Sequence, residues 1–261
     1  MAPHIVGLIL TYNGERLLER CLASLSFCDS VLVVDSLSTD ATVGIAQGAG
    51  AVVLSRAWEG PGPQFRFALD HIRAMQPKVD WVVSLDQDEH LTDELAANIR
   101  RAIGEAPETG GAAGFLTPRS SFYFDRFLKH SGWYPDYLFR VFRPDAMEVH
   151  VSGAHYSFRP LGPTHKLKGD IIHYPYSNFR EHLDKVNSYA QQGADSIKAK
   201  GRRGGVGKGV VHGVARFFKI YLLKLGVLDG RAGFINAVHG AFYAFLKYVR
   251  AAETGDWGPK R

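Results

Sequence analysis

Residues 80–89, DWVVSLDQDE, decide the fold, because they place three acidic side chains directly behind a mostly apolar run. Such a run is typical of a strand buried on both faces of a parallel sheet. Side chains alternate along a strand, so Asp86 and Asp88 point to the same side of it. Neighbouring carboxylates repel each other unless a cation lies between them, and oxygen ligands suit Mg²⁺ or Mn²⁺. The spacing therefore predicts a divalent-cation site at the end of a central strand.

A simpler interpretation is that Asp86 and Glu89 stabilise the N-terminus of the following helix, where acidic side chains are favourable. Thr92 is already a suitable N-cap for that helix, and Glu94 lies in its first turn. The capping interpretation leaves Asp86 and Asp88 unexplained. We therefore prefer the cation site.

The rest of the first half alternates apolar runs with segments of helical periodicity. The runs predict further strands at residues 4–13, 30–36 and 51–58. The periodic segments predict helices at 15–25 and 39–50, and residues 61–76 predict a loop that runs into a helix. We expect Thr39 or Asp40 to cap the second helix. Strands separated by such helices pair in parallel, with helices on both faces. Ligands bind at the carboxyl edge of such sheets, where Thr11, Asn13 and Asp35 would meet the two aspartates.

The second half changes in character after residue 104. An aromatic and basic region predicts loops and short strands, and three helices are predicted at about residues 178–200, 210–225 and 231–250. We predict a catalytic domain over residues 1–176 and a basic, amphipathic helical extension over residues 177–261.

Composition narrows the class of protein. The chain has 261 residues, is 46% hydrophobic and carries a formal charge of +5, and its basic excess lies after residue 200. Only two cysteines occur, Cys21 and Cys28, which suits the cytoplasm and indicates neither a disulfide framework nor a zinc site built on cysteines. No apolar stretch reaches the length of a membrane span. We expect a cytoplasmic protein, peripheral on the inner face of the cytoplasmic membrane.

Several short motifs occur in a specific order. In the first half they are LTYN, VVDSLSTD, WEGPGPQFRFALD and SLDQDE. With these, the chain resembles family 2 glycosyltransferases of the GT-A fold. GWYPDYLFRVFRP, LKGDIIHYPYSNFREHLDKVNSYA and RFFKIYLLKLGVLDGRAGFINA resemble the branch of lipopolysaccharide core β-glucosyltransferases. The resemblance implies an α/β fold with a Rossmann-like, mostly parallel sheet, helices on both faces and a C-terminal helical extension.

The same resemblance implies an activity and a set of site residues. The activity is inverting, metal-dependent transfer of a sugar from a nucleotide-sugar donor, expected to be a UDP-sugar, to a lipid-linked or lipopolysaccharide core saccharide. The implied donor-binding residues are Thr11, Asn13, Asp35, Gln64, Arg66 and Asp86. Asp86 and Asp88 match the D-x-D motif that holds Mg²⁺ or Mn²⁺, and His155 is a third candidate ligand. Asp136 is the candidate general base, although an ion pair of Asp136 with Arg140 or Arg143 is the alternative.

Two departures from the family pattern bear on activity. Relatives usually carry a Val-His-Glu triplet where this chain has Ala154, His155 and Tyr156, so an acid is missing, and Glu148 would replace it only through a shifted loop. Relatives commonly carry Lys-Asn where this chain has Phe65 and Arg66, which bears on the choice of donor. The substitution by Tyr156 favours an alternative function, a non-catalytic nucleotide-sugar-binding protein with a regulatory or scaffold role at the membrane.

The C-terminal helices carry two apolar stripes with basic residues beside them. The stripes are Val210, Val214, Phe217, Phe218, Tyr221, Leu222 and Leu225, then Phe234, Ile235, Val238, Phe242, Phe245, Leu246 and Val249. We predict that part of this region rests on a membrane surface. Burial against the main domain or in a homo-oligomer is the alternative. We do not expect nucleic-acid binding, because no reading motif is present, or nicotinamide binding, because no G-x-G-x-x-G follows the first strand.

Overall fold

The computed structural model describes residues 2–106, 111–152 and 155–255, with side chains for all of these except 151, 152 and 155–157. These residues form two compact units. The first comprises residues 1–120 and 135–174, and the second comprises residues 121–134 and 175–261. The segment 121–134 therefore groups with the C-terminal helices, although it lies within the predicted catalytic domain.

Twelve strands and seven helices make up the described residues. The strands are β1 Ile5–Thr11, β2 Ser30–Asp35, β3 Val52–Ser55, β4 Trp81–Asp86, β5 Glu89–Leu91, β6 Gly114–Tyr123, β7 Arg126–Phe127, β8 Asp136–Phe142, β9 Met147–Ser152, β10 His155–Pro160, β11 Thr164–Lys166 and β12 Ile171–His173. The helices are α1 Leu18–Ser24, α2 Thr42–Gly48, α3 Pro61–Ala74, α4 Asp93–Glu105, α5 Phe179–Ala199, α6 Val206–Phe218 and α7 Gly230–Ala252. A π-helical turn, Lys219–Leu223, follows α6, and 3-10 turns cover Pro144–Ala146 and Gly226–Asp229.

The first four strands form the parallel part of a mixed sheet, as predicted. Their order is β3, β2, β1, β4, and all three pairings are parallel. The sheet continues with β8, antiparallel to β4, and β6, antiparallel to β8. The register sets Thr11 beside Asp35 and Leu10 beside Asp86, so the carboxyl ends of three strands lie at one edge.

Apolar side chains cover both faces of this sheet. Ile9 belongs to a cluster built with α1 and α4, whereas its neighbour Leu8 belongs to a second cluster built with α3. Period-two alternation sends successive strand residues to opposite faces. Both residues are fully buried. This explains why the strands read as continuous apolar runs, and it confirms the predicted α/β fold with helices on both faces.

Helix starts agree with the sequence in part. Thr92 caps α4 by accepting the N–H of Leu95 at 3.3 Å, as predicted. The second helix begins at Thr42, later than predicted, with Ala41 in the N-cap position. Asp40 still serves this helix start, because its carboxylate accepts the Thr42 N–H at 3.0 Å.

The second unit is built on α5, α6 and α7. Asn178 caps α5 by accepting the N–H of Glu181 at 2.9 Å. Asp229, just before α7, accepts hydrogen bonds from the backbone of Lys129 and the hydroxyl of Ser131 and so ties the 121–134 segment to that helix. Among the described residues, no helix has both the length and the apolarity to cross a bilayer.

Gly114, at the start of β6, gives a test of the mixed sheet. A Cβ on this residue would lie 2.3 Å from the backbone oxygen of Val141, so Gly114→Ala forces the β6–β8 pairing apart. We expect the free energy of unfolding to fall by about 1–3 kcal/mol in urea titrations. Gly44→Ala is the control, because nothing lies within 4 Å of its added Cβ in exposed α2, and it should be neutral or stabilising. Equal stability of the two variants would contradict this packing.

Candidate active site

The loop after β1 is held by the middle residue of the D-Q-D sequence. Gln87 Oε1 accepts hydrogen bonds from the Thr11 hydroxyl at 2.5 Å and the Tyr12 N–H at 2.8 Å, and Gln87 Nε2 donates to the Tyr12 carbonyl at 3.0 Å. Gly14 lies against the same side chain, where a Cβ would be 2.5 Å from Gln87 Oε1. Gln87 therefore fixes the first-strand loop beside Asp86 and Asp88.

Two predicted donor-binding residues organise the neighbouring loop. Asn13, in the left-handed region at φ 48°, accepts the Thr39 N–H at 2.9 Å and donates its own N–H to the Ser38 hydroxyl. Asp35 is 1% exposed and accepts both the N–H and the hydroxyl of Ser38, at 2.9 and 2.5 Å. Both side chains therefore shape the loop between β2 and α2.

Gln64 and Arg66 lie on α3 and make different contacts. Gln64 is fully buried, and its amide donates to the Ser36 hydroxyl and the Arg56 carbonyl, each at 3.1 Å. Within the described residues, Gln64 Oε1 is buried without a hydrogen-bond partner. Arg66 is exposed and donates to the Val149 carbonyl at 3.1 Å.

A buried ion network lies behind the D-x-D motif. Arg140 Nη2 contacts Asp86 Oδ2 at 2.5 Å and Glu89 Oε2 at 3.0 Å. Arg119 contacts Glu89 Oε1 at 3.1 Å and Asp136 Oδ2 at 2.7 Å. The network runs in the order Asp86, Arg140, Glu89, Arg119, Asp136 and so connects the motif to the candidate base.

The arginine that pairs with Asp136 is neither of the two that the sequence suggested. Asp136 and Arg140 lie on the same face of β8, but four residues along a strand separate their Cα atoms by about 13 Å. Arg119 lies directly opposite Asp136 in the β6–β8 register. The ion pair is therefore with Arg119, and Arg140 turns to Asp86 and Glu89.

The pKa values of Asp86 and Glu89 shift in opposite directions. Desolvation opposes the charge of Asp86, but Arg140 outweighs it and holds the pKa of Asp86 below its ordinary value. Burial raises the pKa of Glu89 above its ordinary value, even though Arg140 and Arg119 oppose that rise. Glu89 is therefore the carboxylate whose charge is least well stabilised. It is completely buried, and it shares Arg140 with Asp86 and Arg119 with Asp136.

Asp88 lies beside His173. Asp88 Oδ2 lies 3.6 Å from His173 Nε2, and its backbone oxygen accepts the Tyr174 N–H at 3.0 Å. No three His, Cys, Asp or Glu side chains surround a common metal position in the described part of the chain. One or two carboxylates suffice for Mg²⁺ when substrate phosphates and water complete the coordination. Asp88 and His173 fit such a cation, whereas Asp86 is engaged by Arg140.

Not every predicted site residue is brought to this edge. His155 lies on β10, but its side chain is outside the described residues, as are Ala154 and the side chain of Tyr156. Glu148 lies exposed on β9, opposite Arg159 in the β9–β10 hairpin. Gln87, which lies between Asp86 and Asp88 in the sequence, binds Thr11. The ion network joins Asp86 to Asp136. The remaining donor-site assignments stay predictions.

Four residues at the site were absent from the predicted set, namely Gln87, Glu89, Arg119 and His173. Glu89 could have been predicted, since it belongs to the quoted acidic cluster and is not needed as a helix cap. No local sequence pattern could have identified Arg119, because its partners lie 30 and 17 positions away. His173 could have been found as the only histidine on β12, directly after two apolar residues.

Removal of Arg140 tests the network. Arg140→Met leaves Glu89 buried with one fewer counter-charge, and loss of one partner from a buried ion network costs about 3–5 kcal/mol of unfolding free energy. Arg140→Met/Glu89→Gln should recover much of that loss, and the single variant's deficit should narrow as the pH falls and Glu89 takes up a proton. Lys78→Met, in the exposed pair with Asp145, should leave the unfolding free energy nearly unchanged, because exposed ion pairs contribute little. Denaturant titrations at several pH values measure these effects, and additive losses in the double variant would argue against the network.

Comparison with known proteins identifies the family. The sequence model of glycosyl transferase family 2 matches residues 8–161. The lipopolysaccharide core biosynthesis glycosyltransferase LpsC of Rhizobium meliloti is 27% identical over 250 residues, which cover 91% of this chain and 88% of LpsC. Among solved structures, TarS of S. aureus has a TM-score of 0.41 at 19% identity, over 54% of this chain and 28% of TarS. Glucosyl-3-phosphoglycerate synthase from Mycobacterium tuberculosis, in complex with Mn²⁺, UDP-glucose and phosphoglyceric acid, has a TM-score of 0.34 at 26% identity, over 46% of this chain and 44% of that protein. Since the family match spans more than half of the sequence, the chain belongs to glycosyltransferase family 2.

Proposed function

We propose that this chain transfers a sugar, with inversion, from a UDP-sugar to a lipid-linked or lipopolysaccharide core saccharide. The observation that carries the proposal is the ion network that joins Asp86 to Asp136. It fixes a donor-side motif and a solvent-accessible carboxylate with respect to each other on adjoining strands. The similarity to LpsC, which extends over most of both chains, supports the acceptor class.

The donor is proposed to bind at the carboxyl edge of β1, β2 and β4, where ligands bind in open α/β sheets. Thr11, Asn13 and Asp35 build the rigid loops there, so their contribution is largely to shape the nucleotide pocket. Asp86 is held in its ionised form by Arg140 and would accept hydrogen bonds from the donor. Arg66 is exposed and basic, which suits a diphosphate.

Asp88, with His173 beside it, is the proposed ligand set for Mg²⁺ or Mn²⁺. A divalent cation bound there supplies charge neutralisation for the departing nucleoside diphosphate. The six side chains Asp86, Asp88, Glu89, Asp136, Arg119 and Arg140 include four carboxylates and two guanidinium groups, so they favour a cation when ionised. Because two protein ligands leave most positions to water and phosphate, we expect cation and donor to bind together.

Asp136 is the proposed general base. Its side chain is 41% exposed, which allows an acceptor hydroxyl to reach it, and Arg119 holds its Oδ2 in place. The carboxylate would take the proton of that hydroxyl as the hydroxyl oxygen attacks the anomeric carbon and the bond to the nucleoside diphosphate breaks. The ion pair with Arg119 orients the carboxylate for this step.

Substitution of each acid separates binding from chemistry. Asp88→Asn should abolish the Mn²⁺-dependent part of donor binding, because it removes the charged oxygen ligand. Asp136→Asn should leave donor affinity nearly unchanged and lower turnover by about 10²–10⁴, the usual contribution of a general base. Calorimetric titration with UDP-sugars, with Mn²⁺ and with EDTA, measures the first effect, and sugar-dependent release of nucleoside diphosphate measures the second.

The outcomes also distinguish the alternative function. Asp145→Asn is the matched control, because this exposed acid pairs with Lys78 on the surface. A wild-type protein that binds a nucleotide sugar and releases no nucleoside diphosphate with any core saccharide would indicate a non-catalytic, regulatory protein. If Asp136→Asn lowers turnover by less than tenfold, the general base is a different acid, and Glu148 is the next residue to test.

An exposed apolar stripe in the second unit supports attachment to a membrane. Val206, Val210, Val214, Phe218 and Leu222 follow one another at intervals of four residues, and each is 49–62% exposed. The opposite side of α6 is covered, because Gly209 and Gly213 lie against the backbone of α7. Phe234, Val238 and Phe242 form a second exposed stripe on α7.

Basic residues occur in the same segment as the α6 stripe. Lys219 and Lys224 are exposed, whereas the Arg216 guanidinium lies over the Tyr243 ring of α7. Each basic group near an anionic surface contributes on the order of 1 kcal/mol. An apolar surface edged by basic side chains is typical of interfacial helices. We infer that the second unit rests on the cytoplasmic face of the inner membrane and brings the enzyme to a lipid-borne acceptor.

Co-sedimentation with vesicles tests this attachment. The chain should sediment with phosphatidylcholine vesicles that contain phosphatidylglycerol, and added salt should weaken binding. Val214→Glu/Phe218→Glu should remove binding, because it places charge on the apolar stripe. Leu161→Glu changes a residue of the first unit that is equally exposed and should bind as wild type. A wild-type protein that stays in solution as a dimer would instead favour burial of the stripe against a second copy.

A further inference from the structure

A tyrosine and two histidines of the second unit meet at one point. Tyr123 Oη lies 3.1 Å from His182 Nδ1 and 3.1 Å from His239 Nδ1, and the two ring nitrogens lie 3.0 Å apart. The three residues come from β6, α5 and α7. Tyr123 and His182 are buried, and His239 is partly buried. None of them has a part in the proposed transfer of sugar.

Hydrogen bonding alone does not account for all three contacts. An imidazole nitrogen has a single in-plane position, which holds either a proton or a lone pair, and a phenol has one proton. If both Nδ1 atoms accept, their lone pairs face each other at 3.0 Å, and if both donate, their protons face each other. If one Nδ1 donates and the other accepts, each nitrogen makes one well-directed hydrogen bond, and one of the three contacts has no proton directed along it. At least one short contact is then unexplained.

The same triangle matches the spacing of ligands around a metal ion. Zinc binds imidazole nitrogen and oxygen at about 2.0–2.1 Å, so two of its ligands lie about 2.9 Å apart at right angles and about 3.3 Å apart in a tetrahedron. The three observed separations, 3.0 to 3.1 Å, fall within that interval. Three donors directed at one common point satisfy each other through the ion, with no need for protons between them.

The surroundings favour the neutral, metal-binding form of the two histidines but oppose ionisation of the tyrosine in the absence of a cation. Burial lowers the pKa of His182 to about 4, with His239 and Lys185 adding to the effect, and burial lowers the pKa of His239. Both imidazoles are therefore neutral at neutral pH, as ligation requires. Burial raises the pKa of Tyr123, with Tyr176 adding to the effect, so its proton leaves only when a cation replaces it.

A cavity adjoins the cluster. It has a volume of about 210 Å³ and is lined by Tyr123 and His182 together with Tyr176, Asn178 and Phe179. Aromatic rings surround the histidines, with Tyr176 4.5 Å from His182 and Phe179 4.8 Å from His239 between ring centres. The cavity has room for a water molecule as a further ligand.

We propose that Tyr123, His182 and His239 bind one Zn²⁺ ion, with Tyr123 as phenolate and a water molecule from the adjoining cavity completing the coordination. Two imidazole ligands on one ion suit Zn²⁺ better than Mg²⁺ or Mn²⁺, whose coordination is dominated by carboxylate and water oxygens. The ion joins β6 to α5 and α7 and so crosslinks the second unit. It is separate in chemistry from the cation proposed for the transfer reaction.

Calorimetric titration of chelator-treated full-length protein with Zn²⁺ tests the site. Excess Mg²⁺ in the buffer occupies the carboxylates of the first unit. We expect about one Zn²⁺ per chain, with release of about one proton from Tyr123, measured as the dependence of the heat on buffer ionisation. Substitution by Co²⁺ should give visible absorption bands of a low-symmetry site.

Two ligand variants and one control make the outcome decisive. Tyr123→Phe keeps the packed ring but removes the oxygen, so it should lower Zn²⁺ affinity by about tenfold or more and abolish the proton release. His239→Gln should lower affinity similarly. His212→Gln changes an exposed histidine of the same unit that stacks on Tyr248, and it should behave as wild type. Wild-type affinity in Tyr123→Phe and His239→Gln, or no Zn²⁺ binding by the folded wild type, would overturn the proposal and leave a hydrogen-bonded cluster.

Discussion

The geometry of the first unit depends on one buried carboxylate, that of Glu89. It is completely buried, and it is shared between Arg119 on β6 and Arg140 on β8. A charge in this position is costly unless both partners reach it, so the start of β5 must keep one arrangement relative to β6 and β8. The raised pKa of Glu89 indicates that the pairs do not fully offset its desolvation. The network therefore contributes more to the orientation of Asp86 and Asp136 than to stability.

The parallel half of the fold was predictable, because its signals are local. Runs such as residues 31–34 are apolar throughout, and the helices between such runs repeat with a period near 3.6. The antiparallel half was less predictable from the sequence, since the register of β6 against β8 depends on residues more than 15 positions apart. That register decides which arginine faces Asp136. The sequence suggested Arg140 or Arg143 because they are close along the chain, whereas the strand pairing brings Arg119 across from it.

The C-terminal helices show a different limit of periodicity. The pattern predicted α6 and α7 at nearly their observed positions, but an apolar stripe does not say which side of a helix is covered. In α6 the contact with α7 is made by Gly209 and Gly213, whose lack of side chains lets the two backbones approach closely. The larger apolar residues are left outside. A helix that packs through glycine and exposes valine and phenylalanine has the reverse of the usual globular arrangement, and this is the reason for proposing a membrane surface as its partner.

Charge links the proposed cation to the proposed donor. The site residues carry more carboxylates than guanidinium groups, so a nucleoside diphosphate approaching alone meets like charge, and a cation approaching alone finds only Asp88 and His173. Each ligand thus lacks what the other provides, namely phosphate oxygens for the cation and positive charge for the diphosphate. The proposal therefore expects the two to bind best as a unit, with the energy of their shared interaction present only when both are bound. Selectivity for a diphosphate donor then follows from electrostatics at the strand ends, while the choice of sugar is left to the loops that surround them.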